Sequence, residues 1–114
     1  MEISPEMQKN LRELQESEQQ LRVVMTQRYQ MEMQAKESQK ALDEIEASKD
    51  AEIHKVVGQI LIKADSKEVA KELKEKAETL KVRLDTLKKQ EGKLKDQMKS
   101  IQDRLQGVIP TAGG

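Results

Sequence analysis

Apolar residues recur every three or four positions over two long stretches of this chain, and a short, dense cluster of β-branched residues separates the two. In the first stretch Met7, Leu11, Leu14, Leu21 and Met25 step by fours and threes, the spacing of a heptad seam. Glu18 fills the charged position of that set and weakens the seam locally; in an antiparallel pair it would come near the lysines around Lys99. Met31, Ala35, Ser38, Leu42 and Ile45 then alternate in the same way on a shifted set, so one discontinuity is expected near residues 24 to 31. Ser4 suits a helix cap, Pro5 the first helical position and Glu6 the positive end of the helix dipole. No Gly or Pro interrupts from Glu6 to Asp50, which predicts one helix over residues 5–50.

The second stretch is more regular. Val69, Leu73, Ala77, Leu80, Leu84, Leu87, Glu91, Leu94, Met98, Ile101, Leu105 and Val108 keep heptad spacing for the most part. Asp65 followed by Glu68 is a variant of the capping box, while Gly107 with Pro110 beyond it forms a stop. A helix over 66–107 and a flexible tail over 108–114 follow. Gly92 falls on the outer face, at a cost of about 1 kcal/mol against Ala.

Between the helices, "IHKVVGQILIKA" reads as a β-hairpin over 53–64 turning at Gly58-Gln59, since Gly at the first central position permits a type II′ turn. Val57 would then oppose Ile60, and Val56 would oppose Leu61. One face carries Ile53, Val57, Ile60 and Ile62; the other carries Val56 and Leu61. A lone two-stranded hairpin is marginal in water and leaves two edges unpaired. Val56, Val57, Gly58, Ile60, Leu61 and Ile62 are therefore the candidate assembly residues, pairing with hairpins of other chains to close a small sheet or barrel. The alternative is a helical hairpin with an ordinary apolar loop.

Two helices of matched length joined by so short a segment predict an antiparallel pair with both chain ends together. Charge agrees weakly: residues 5–49 hold nine acids and seven bases, residues 66–107 twelve bases and eight acids. The fold class expected is mainly α, a long antiparallel two-helix coiled coil with one β-hairpin at the bend, as a single domain over 1–114. Hairpins of several chains would pair into a small sheet or barrel.

Composition narrows the function. With 35% hydrophobic and 37% charged residues, no Trp or Phe and Tyr29 as sole aromatic, the chain cannot build a large compact core. The absence of Cys excludes disulfides, and His54 alone makes no Cys/His metal site. Acidic and basic residues balance at 21 each, against a nucleic-acid partner. The five lysines of "KKQEGKLKDQMK", Lys88 to Lys99, are interleaved with acids and read as a solvated face. No apolar run is long enough for a membrane span, and "MEISPEMQKN" is not a secretory signal, so a cytoplasmic protein is expected. There is no phosphate-cradling loop and no nucleophile with a base beside it, so neither catalysis nor a cofactor is expected.

A heptad helix, then "IHKVVGQILIKAD", then "VAKELKEKAETLKVRLDTLKKQEGKL" resembles the β-class subunit of prefoldin, an archaeal and eukaryotic cytosolic chaperone. Lys55, Gly58, Leu61, Leu73, Leu80 and the "KQE" at Lys89 to Glu91 carry the resemblance; His54 departs from it, standing where the family commonly has an aromatic residue. It implies a hexamer in which this chain joins a prefoldin α-class subunit, two α with four β, on a double β-barrel platform. It also implies that unfolded client proteins are held without ATP at the coiled-coil tips and passed to a group II chaperonin. The tip residues would be Met7, Leu11 and Leu14 with Ile101, Leu105, Val108 and Ile109, splayed enough to stay partly uncovered; the other reading is that they only close the coil. A coiled-coil adaptor or tether with one specific partner explains the heptads but not the hairpin.

Overall fold

The computed structural model describes residues 3–49 and 51–108, the last of these by its backbone. Two long helices flank a two-stranded antiparallel hairpin, in the order α1 (Pro5–Ala47), β1 (Ile53–Val57), β2 (Ile60–Ala64) and α2 (Ser66–Val108). Ser4 caps α1 as its sequence suggests: its Oγ accepts the Met7 N–H at 3.1 Å, and its carbonyl accepts that of Gln8 at 2.9 Å. The helix stops at Ala47, three residues short of the predicted end. There is no Gly or Pro at the stop; instead a turn takes over, with the Ala51 N–H donating to the Ser48 carbonyl at 2.8 Å. At α2 the cap is Asp65, whose Oδ1 accepts the Lys67 N–H at 3.1 Å. The expected partnership with Glu68 is thus replaced by a bond one residue earlier. Gly107 does not end α2, which continues to Val108.

The chain divides into two compact units, one holding described residues 3–28 and 86–108, the other 29–85. In the first unit α1 and α2 run antiparallel: Ser17 and Gln20 share a groove with Ile101 and Gln97, and Arg28 meets Glu91. The α1 seam here is Met7, Asn10, Leu14, Ser17, Leu21, Val24 and Arg28, all buried or half-buried. This corrects the sequence expectation. Leu11, Glu18 and Met25 stand exposed beside the seam, and Asn10, Ser17 and Val24 take their places. The same heptad lines continue through Met31, Ala35, Ser38, Leu42 and Ile45, so α1 needs no discontinuity. Opposite it, Leu87, Glu91, Leu94, Ile101 and Leu105 of α2 are buried and Met98 half-buried, on the seam predicted for them.

The second unit buries Ser38, Leu42 and Leu80, with Ala35, Ile45, Leu73 and Ala77 half-buried around them. Its hairpin takes no such cover. Among the described residues no fully buried side-chain nitrogen or oxygen lacks a hydrogen-bond partner. No helix among them is long and apolar enough to cross a membrane, and no cluster of His, Cys, Asp or Glu could hold a metal ion.

Candidate functional site

The hairpin forms because its residues favour extended backbone and its turn has the right glycine. Val and Ile, stiff at χ1, pack well on a pleated surface. Gly58 sits at φ +60°, the left-handed region that a non-glycine residue enters only with strain. The register pairs Val57 with Ile60 and Val56 with Leu61, as the sequence predicts, and Lys55 with Ile62. Alternation then places Ile53, Lys55, Val57, Ile60, Ile62 and Ala64 on one face, and His54, Val56, Leu61 and Lys63 on the other.

Both faces are open. Val56 and Leu61 are 69% and 68% exposed, while Val57, Ile60 and Ile62 retain about half or more of their surface in water. Only Ile53 and Ala64, at the helix-proximal ends, are half-buried. Apolar residues crowded on both faces of a two-stranded sheet with two unpaired edges mark a surface built to be covered. The polar residues around them orient the hairpin: Lys55 Nζ lies 2.8 Å from Glu72 Oε2 on α2, and Lys63 Nζ 3.0 Å from Glu52 Oε1. All four side chains are well exposed, so these pairs set direction more than stability.

The helix-end residues divide differently from expectation. Leu11 is exposed, and Met7 and Leu14 are half-buried on the seam. Ile101 and Leu105, expected to be partly uncovered, are instead buried, Ile101 to 4% exposure, because the helices stay closed around them. The Val108 side chain and Ile109 lie outside the described residues. Ile3, which the sequence reading passed over, is exposed just before the cap. Its signal was an apolar residue preceding a cap with Gln8, not an apolar residue, at the position that would have stapled it. Farther along the same unit Val23, Val24 and Leu94 line an open groove of about 440 Å³.

A second feature escaped the local pattern. Arg28 Nε donates to Glu91 Oε2 at 2.7 Å and Arg28 Nη2 to Oε1 at 3.4 Å, while Lys95 Nζ reaches Oε1 at 3.2 Å. Burial acts to raise the pKa of the Glu91 carboxyl. Hydrogen bonds from Lys95 and Arg28, and their charges, outweigh it and hold the group below its ordinary value. The sequence showed Glu91 on the seam but not the cation, 63 residues away, that answers it.

Two long helices joined by an exposed, largely apolar β-hairpin define the architecture. The family model for the prefoldin subunit matches residues 8–111, and the chain belongs to that family. It is similar to prefoldin subunit beta of Archaeoglobus fulgidus, 40% identical over 73 residues that make up 63% of each chain. Prefoldin subunit beta of Thermoplasma acidophilum is 41% identical over 73 residues, 62% of this chain and 59% of that one. The matched region thus spans somewhat less than two thirds of the length of these relatives. Structural similarity reaches further: the crystal structure of the prefoldin beta subunit from Thermococcus strain KS-1 superposes with a TM-score of 0.86 at 38% identity, covering 96% of this chain and 97% of that one.

Proposed function

We propose that the chain is a β-class subunit of a cytoplasmic prefoldin, an ATP-independent holdase that binds unfolded proteins, prevents their aggregation and hands them to a group II chaperonin. The observation that carries the reading is the hairpin of a prefoldin-family chain left open on both faces and both edges. Hairpins of other subunits are its natural cover, in a hexamer with two α-class and four β-class chains. Client segments would be held at the helix end where residues 3–28 pack with 86–108. Ile3 and Leu11 offer apolar surface there, Met7 and Leu14 offer part of theirs, and the groove by Val23 and Leu94 extends it. Unbranched Met and adaptable Leu side chains can repack around dissimilar apolar segments, as a promiscuous binder requires. Ile101 and Leu105 join the surface only if the helix ends part.

The test is aggregation of two unrelated denatured proteins, without nucleotide, in the presence of the complex purified with its natural α-class partner. Suppression of both is expected, and weaker suppression at unchanged complex size when Ile3 and Leu11 are replaced by Gln. Failure with both clients, from a complex of confirmed size, would move the chain to the adaptor class, with one specific partner.

A further inference from the structure

Within the unit formed by residues 3–28 and 86–108 the two helices are unequal partners. On the seam α2 offers Leu87, Leu94, Met98, Ile101 and Leu105; α1 offers Asn10, Ser17 and Arg28 among its apolar residues. By apolar area alone, this part of α2 would pack better against the α2 of a second copy than against α1. Glu91, 8% exposed on the seam, opposes that choice. In a parallel in-register pair of α2 helices, Glu91 would face Glu91. In an antiparallel pair it would face apolar residues with no cation across the seam. α1 alone brings Arg28, with two nitrogens aimed at the two carboxylate oxygens. Lys95 does not discriminate, because it belongs to α2 and accompanies Glu91 in either pairing, with its own side chain largely in water.

We infer that the Arg28–Glu91 pair is a partner-selecting device: it makes α2 take α1 and reject the α2 of another copy. Charged seam residues choose partners in coiled coils by this kind of attraction and repulsion. The selection matters wherever copies of the chain stand close together, and it does not depend on what those copies bind.

The chain has no cysteine, so Leu94→Cys places a single thiol on the α2 seam, where an interchain disulfide forms only if two α2 helices meet. Mild oxidation of the full-length assembled protein should give little of it. Adding Arg28→Leu with Glu91→Leu makes both seams more apolar and should raise the interchain disulfide at least about tenfold, the equivalent of about 1.4 kcal/mol in pairing preference. Glu91→Leu alone, which removes the repulsion and leaves α1 unaltered, should give the same rise. The reversed pair Arg28→Glu with Glu91→Arg restores complementarity and should return the yield to the parent level. The inference is overturned if Glu91→Leu cross-links no more than the parent, or if the reversed pair cross-links as much as the double leucine variant.

Discussion

Substituting Leu61 by Asp probes the hairpin at its most open point. Leu61 and its cross-strand neighbour Val56 are both more than two-thirds exposed, and Val57, Ile60 and Ile62 expose about half or more on the opposite face. Fully burying such a side chain contributes about 1.5–3 kcal/mol, so the surface each still offers is worth roughly 1–2 kcal/mol. Five of them provide roughly 5–10 kcal/mol per hairpin, comparable to the cost of association, roughly 4–15 kcal/mol. Assembly is then sensitive to a single residue. Leu61→Asp forfeits its own share and adds the desolvation of a carboxylate, several kcal/mol in a buried interface. A loss of about 4 kcal/mol or more corresponds to a dissociation constant raised roughly a thousandfold. Sedimentation velocity over a broad dilution series would show a complex that falls apart at concentrations where the parent stays whole. Helix content by circular dichroism should not change, because Leu61 packs against nothing essential within its own chain. The same size distribution for parent and variant across the whole series would refute the account of the hairpin as the assembly surface.

Two further outcomes follow from named groups. The Glu91 carboxyl holds its proton less tightly in the folded chain than in the unfolded one, so its contribution is complete above its ordinary value of 4.5 and is lost as pH falls below it. Thermal denaturation should show Glu91→Gln losing less melting temperature than the parent between pH 7 and pH 3; parallel losses would remove the ion pair from the acid response. The same chemical change should act with opposite sign at two glycines that both have open space around the added methyl. Gly58→Ala forces a side chain into positive φ, costs about 1–2 kcal/mol and weakens assembly, whereas Gly92→Ala, in the exposed interior of α2, stabilises by up to about 1 kcal/mol. Chemical denaturation of the two variants at one protein concentration measures both signs together.

The difference between what the sequence disclosed and what it hid lies in how far apart the deciding residues are. The hairpin was legible to its register, because the turn glycine, the β-branched residues and their alternation all lie within twelve positions and each demands the same geometry. The α2 seam was legible because, apart from Glu91, its heptad positions are apolar and leave no competing line. α1 carries two candidate lines beside the shared Met7, Leu14 and Leu21. The more apolar one, through Leu11 and Met25, is the wrong one. What selects Asn10, Ser17 and Val24 instead is the single heptad phase that also seats Met31, Ser38 and Ile45, and the meeting of Arg28 with Glu91. The first is a property of the whole helix and the second a contact across 63 residues; neither is visible in a local window. The same choice explains the misplaced helix-end residues. Turning Asn10 and Ser17 inward leaves Leu11 outside and lets the coil close over Ile101 and Leu105. α2 therefore supplies the buried apolar surface that holds this unit together, and α1, with polar groups on its seam, leaves Leu11 open to solvent beside it.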